Sequence, residues 1–266
     1  MVIHIDSIAS MMQDLSNLFG MTQAELCAAL NQFDWTMDET RDERLYHFIN
    51  THKESTISEV GICHLTSRLR NNDLRIIEPL NVLFTSDNVF RTFLEKHGIQ
   101  IVPSTNSNTE DKFDLFYNAQ LVELNYTMTN PCMGRLKRRL TDDFYVTGFI
   151  SIPAPSSIQY DYYHIPEIIH DLSIILNDKT ICDDYESNST FYCTTVQLPL
   201  STLHYAASDS PLDENTYIRE LLEYMHRPSS FPTIVIAKNI NDSVPIQKAI
   251  PIKRGERGYY VPTSTR

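Results

Sequence analysis

The chain has 266 residues, with 34 acidic against 22 basic side chains and a net charge of −12. Hydrophobic residues make up 42% and charged residues 21%, a balance that suits a globular chain and excludes wholesale disorder. None of its seven glycines falls in G-x-G-x-x-G or G-x-x-x-x-G-K-[ST]. A Rossmann dinucleotide site and a P-loop are therefore excluded, since both need glycine for close backbone approach to phosphate.

Residues 1–55 read as an acidic helical region. Ile5, Ile8, Met12, Leu15 and Phe19 recur at helical spacing, and Gly20 follows as a stop. Thr22 with Glu25 forms a capping-box pattern that opens a helix through Leu26 and Leu30. Thr36 with Glu39 repeats the device before Leu45, Phe48 and Ile49. Counted to residue 56, nine acids stand against three bases, which opposes a DNA-reading role for these helices and favours a packing or partner-docking role.

From Ile57 the pattern changes to short strand-like runs, and residues 56–237 read as an α+β body. Val60 to Leu65 predicts a strand, and Leu80 to Phe84 is a second apolar run. A helix over Asn88 to His97 ends at Gly98, and Ile99 to Val102 predicts a strand. Phe113 to Tyr117 and Gln120 to Tyr126 flank Asn118-Ala119, which suggests a hairpin. Arg135 to Leu140 is a short basic helix, Phe144 to Ile152 a strand, and Pro166 to Leu176 a helix with proline in its first turn. Thr190 to Leu198 predicts a strand, Asp213 to Met225 an amphipathic helix and Thr233 to Ala237 a strand. Residues 238–266 form a basic tail with six bases, two acids and little periodicity. Strands and helices do not alternate regularly. The order favours helices packed on a mixed, mainly antiparallel sheet over a doubly wound fold.

No run reaches the roughly 18 apolar residues that cross a bilayer. The N-terminus lacks a basic stretch before an apolar core, so a cytoplasmic location with no membrane partner is expected. The five cysteines, Cys27, Cys63, Cys132, Cys182 and Cys193, are odd in number and show no C-x-x-C pair, which predicts reduced, mostly buried thiols. The histidines show no H-x-x-x-H or H-E-x-x-H spacing, so no metal site is expected. Asp114 and Glu123 on the hairpin invite a magnesium-nuclease reading, but Asn125 stands where its lysine belongs. Asp142-Asp143 and Asp183-Asp184 read as solvated loop acids, and Tyr160, Tyr162 and Tyr163 as packing aromatics.

Arg135, Lys137, Arg138 and Arg139 form the densest basic cluster. Together with the basic tail they make a candidate nucleic-acid or acceptor contact inside an acidic protein. The other chemistry-bearing stretch is Gly61-Ile62-Cys63-His64-Leu65-Thr66-Ser67-Arg68. On a strand, His64 and Thr66 point to one face, where an imidazole and a hydroxyl can hold a ribose or an amide. Arg68, two residues on, can reach a phosphate.

This His-x-Thr on an early strand resembles the opening motif of the ADP-ribosyltransferase fold, including its DNA-targeting toxins and poly-ADP-ribose polymerase-like members. The resemblance covers about ten residues. It implies NAD as substrate, with His64 and Thr66 on the ribose and nicotinamide ends, Arg68 on the pyrophosphate and Ser86 lining the nicotinamide pocket. Glu123 would be the catalytic carboxylate, and a toxin or defence effector that transfers ADP-ribose to protein or nucleic acid would be the expected activity. The residues also fit a different class, a non-enzymatic interaction or regulatory subunit of a bacterial complex. Its acidic N-terminal helices would then dock a protein partner, steered by the charge asymmetry of the chain.

Overall fold

The computed structural model of the chain describes residues 1–33, 35, 40–105, 111–124, 130–141, 145–152, 165–226, 233–238, 243–255 and 258–260. In chain order the elements are β1 (Val2–Ile3), α1 (Ile8–Leu18), α2 (Gln23–Leu30), α3 (Thr40–His52), β2 (Glu59–Leu69), β3 (Ile76–Ile77), α4 (Leu80–Thr85) and α5 (Val89–Lys96). Then come β4 (Ile99–Pro103), β5 (Phe113–Tyr117), β6 (Gln120–Leu121), α6 (Pro131–Thr141), β7 (Val146–Phe149), α7 (Glu167–Ile175) and α8 (Thr180–Asn188). The chain closes with β8 (Ser189–Pro199), β9 (Leu203–Tyr205), α9 (Glu214–His226), β10 (Ile234–Ala237), β11 (Val244–Pro251), β12 (Lys253–Gly255) and β13 (Gly258–Tyr260). The Thr36–Glu39 capping pattern, Asp142-Asp143 and the tyrosines of 160–163 lie outside the described residues.

The fold is α+β. The main sheet runs β3-β11-β8-β2-β7-β10-β9, with β1 added in parallel beside the start of β2, and the other pairings are antiparallel. A separate antiparallel sheet has the order β4-β5-β6. Local chemistry explains several boundaries. Thr22 accepts from the Glu25 amide at 3.2 Å while the Glu25 carboxylate accepts from the Thr22 amide at 2.8 Å, so the predicted capping box opens α2. Asn88 caps α5 by accepting from the Arg91 amide at 2.8 Å. Asn118 and Ala119 both take positive φ, 49° and 64°, the two-residue geometry that matches the twist of the strands on either side.

Two apolar cores result. The first joins α1, α2, α3 and α9 to the main sheet through Leu15, Leu26, Ile49, Ile62, Val196 and Tyr217. The acidic helical region therefore shares its core with the sheet. The second core gathers Phe84, Phe93, Ile101, Leu115, Leu136 and Leu172 from α4, α5, β4, β5, α6 and α7. Strand β2 serves both, since Val60, Ile62 and Cys63 lie in the first and Leu69 in the second. Residues 244–251, read from sequence as part of an aperiodic tail, form β11 and pair with β8 inside the main sheet. Among the described residues, no helix is long and apolar enough to cross a membrane.

Candidate functional site

Strand β2 is paired with β8 from Glu59↔Pro199 to Leu69↔Ser189, so its side-chain alternation is fixed along its length. His64, Thr66 and Arg68 share one face, and Cys63, Leu65 and Ser67 share the other. The first three are thus aligned at spacings of two, as the motif requires.

His64 is half-buried, and its Nδ1 lies 2.6 Å from the Thr147 carbonyl oxygen. A carbonyl only accepts, so Nδ1 carries the proton and Nε2 keeps its lone pair. Burial pushes the imidazole down to about 4, with the Arg68 charge acting in the same direction and the Thr147 carbonyl opposing. His64 is therefore a neutral acceptor at neutral pH.

That neutrality predicts a pH dependence. Between about 6.5 and about 4 the unfolded chain binds a proton at this position that the folded chain does not. Stability should therefore fall as pH drops through that window and level off below it. Discounted for the partial exposure of the ring, the loss is about 1–2 kcal/mol. Urea unfolding at steps from pH 7 to pH 4 should show this slope in the wild type and a flatter one in His64→Gln. Equal slopes would place the pH dependence elsewhere.

Arg68 is only 6% exposed. Its Nη2 donates to the Ile76 carbonyl at 3.0 Å, and its buried Nε has no hydrogen-bond partner. It makes no ion pair among the described residues. Asp73, near enough to act on it, is held instead by Arg75, whose hydrogen bonds bring that carboxyl down to about 2. Burial lowers the Arg68 pKa, opposed by Tyr185, Glu78 and Asp73. A buried guanidinium without an anion touching it is costly, because its desolvation is only partly repaid.

The remaining expected site residues stand elsewhere. Ser86 ends α4, donating to the Val82 carbonyl at 2.8 Å and accepting from Asn88 Nδ2 at 2.9 Å, so its hydroxyl serves the α4–α5 turn. Glu123 is exposed and lies two residues beyond β6, outside the strand on which it was expected. It follows the three-stranded sheet, whereas His64 belongs to the main sheet. The structure aligns His64, Thr66 and Arg68 on one face of β2, and it places Ser86 at the end of α4 and Glu123 after β6, beside residues of the second core.

The basic cluster divides by helical face. Arg135 and Arg139, one turn apart on α6, reach Asp171 and Glu167, one turn apart on α7. Arg135 donates to Asp171 through Nη2 at 2.5 Å and Nε at 3.1 Å, and Arg139 donates to Asp171 at 3.0 Å and also pairs with Glu167. The Asp171 hydrogen bonds raise the Arg135 pKa. Lys137 stands 3.9 Å from Asp111, and Arg138 is exposed. Sequence reasoning missed the acids on α7. The matching four-residue spacings, 135/139 and 167/171, were the available signal.

Cys132, His170 and Asp171 bring potential metal-ligand atoms within 4.8 Å of one another. Both Asp171 oxygens already accept from guanidinium groups, and Arg135 Nη2 lies 3.4 Å from Cys132 Sγ. The arginines supply the positive charge there, so this donor set does not suit a cation. Among the thiols, buried Cys63 and Cys193 have their sulfurs 3.2 Å apart across β2 and β8, both unbridged, while Cys27 is exposed.

No protein-family model, no curated protein and no solved structure matches the chain.

Proposed function

We propose that the chain acts in the cytoplasm as a nucleotide-binding protein of the ADP-ribosyltransferase type, with NAD as its ligand and the His64–Thr66–Arg68 face of β2 as its site. The observation that carries the reading is Arg68, a buried guanidinium with an unpartnered Nε and no ion pair among the described residues. A pyrophosphate is the complementary ligand, since paired N–H donors match phosphate oxygens. His64 Nε2, which meets no donor among the described residues, accepts from a ribose hydroxyl, and Thr66 supports the same sugar. Glu123 follows a different sheet, so ligand recognition in this reading rests on β2 alone. In transfer of ADP-ribose to a protein or nucleic acid, Glu123 would be the catalytic carboxylate.

Titration calorimetry with NAD and ADP-ribose tests this. Wild type should bind both, and Arg68→Gln should lose at least about tenfold in affinity, as for a charged hydrogen bond to phosphate. Labelled NAD with lysate, using wild type, His64→Ala and Glu123→Ala, reads the transfer step separately. Absence of NAD and ADP-ribose binding by folded wild type overturns the reading.

A second reading, the non-enzymatic interaction subunit, is supported by the charge asymmetry of the chain, acidic over its N-terminal helical region and basic over residues 238–266. A chain that elutes alone from native lysate and turns over NAD leaves this second reading without support.

A further inference from the structure

On the opposite face of the main sheet from His64 lies a cleft of about 200 Å³ that the proposed NAD site does not use. Four chain segments meet there: the loop after β1, with His4 and Asp6; β2 at Gly61; β8 at Thr195 and Gln197; and β11 at Lys248. Thr195 lies opposite Cys63 in the β2–β8 register, which places it on the Cys63 face. Strand β11 carries an irregularity between Ile246 and Lys248 that sets Lys248 opposite Thr195. Bulges of this kind re-aim side chains and are enriched beside functional sites.

The polar groups of the cleft are unevenly satisfied. Thr195 is 5% exposed, and its hydroxyl has no hydrogen-bond partner. The Lys248 ammonium donates to the Asp6 backbone oxygen at 2.8 Å and makes no ion pair among the described residues. The acids close by have other donors: Asp6 accepts from Ser10 at 2.8 Å, and Asp14 accepts from the His4 amide and from its ring nitrogen, each at 2.8 Å. An ammonium with two donors to spare, a buried hydroxyl and an amide side chain therefore converge, beside an Asp6 carboxylate that is held by Ser10 and makes no ion pair with the lysine.

We propose that this cleft binds a small hydroxycarboxylate. The Lys248 ammonium takes the carboxylate, and Thr195 with Gln197 takes the ligand's hydroxyl. Size limits the ligand, since pockets for drug-sized molecules run from about 300 to 1,000 Å³, and a nucleotide does not fit. Charge limits it too. One ammonium beside the Asp6 carboxylate matches a monoanion and disfavours the dianion of a phosphate monoester. The site is separate from β2's other face and stands whether or not NAD binds there.

Protein-observed NMR titration of the full chain at constant ionic strength tests the proposal, with lactate, glycerate and glycolate against inorganic phosphate and glycerol. At least one hydroxycarboxylate should saturate shifts at residues of the cleft with a Kd near or below about 1 mM, and glycerol and phosphate should not. Lys248→Met keeps the stem and removes the charge, and should weaken binding by about tenfold or more. Thr195→Val is nearly isosteric and should weaken it severalfold, which keeps the test decisive if the lysine variant folds poorly. No saturable binding of any of the three acids, preference for phosphate, or unchanged affinity in folded Lys248→Met and Thr195→Val would each overturn it.

Discussion

Asp171→Ala should destabilise the chain by about 3–5 kcal/mol, the cost of leaving buried charge unpaired. Asp171 is fully buried on α7 and accepts three hydrogen bonds from Arg135 and Arg139. Those arginines are themselves largely covered, with side chains 27% and 14% exposed. Glu167, at 43% exposed, is too solvated to compensate both. Urea unfolding checks the magnitude. Replacing the triad together, Asp171→Leu with Arg135→Met and Arg139→Met, should recover most of the loss, because apolar packing can substitute for a buried ion network. A single-variant loss below about 1 kcal/mol would mean that water reaches the carboxylate freely.

Tyr217→Ala should cost a similar amount, about 3–5 kcal/mol, by opening a cavity between α9 and the main sheet. Tyr217 is fully buried, and its hydroxyl donates to the Gly61 carbonyl at 2.9 Å. Burial raises its pKa, so it remains a donor across the working range of pH. Tyr217→Phe separates the ring from the hydroxyl and should cost only about 1–2 kcal/mol, since it leaves one carbonyl short of a partner. Thermal or urea unfolding of the two variants gives the ratio. Equal losses would mean that the hydrogen bond, not the ring volume, anchors α9.

The elements legible in the sequence were those governed by local chemistry. The Thr22/Glu25 box, the Gly98 stop and the Asn118-Ala119 turn each depend on neighbours within about five residues. Elements governed by distant partners were not legible. Helix α8, Thr180–Asn188, is mostly polar and buries only Ile181 and Tyr185, so its adjacent acids resembled a loop. Strand β11 carries Pro245 and Pro251 and no clean alternation, and only its register on β8 reveals it. The apolar run at Leu80 had no helical or strand signature of its own and is helix α4. At the site, alternation along β2 was enough to align His64, Thr66 and Arg68. The position of Glu123 depended on where β6 stopped, and it stops at Leu121. The roles of Arg135 and Arg139 depended on acids 28 to 36 residues away in the chain.

The long pairing of β2 with β8 also has a consequence on the ribosome. Cys63 and Cys193 touch across that pairing and are separated by 130 residues. At about 5–20 residues per second, β8 is made roughly 6 to 26 seconds after β2. Over that interval the apolar run Val60-Gly61-Ile62-Cys63 waits with its β8-facing ladder edge open, joined on its other side by the short β1 and later by β7. The nascent chain is then a sheet edge seeking a strand, and the acidic N-terminal segment, already synthesised, supplies the like-charge repulsion that keeps neighbouring nascent chains apart.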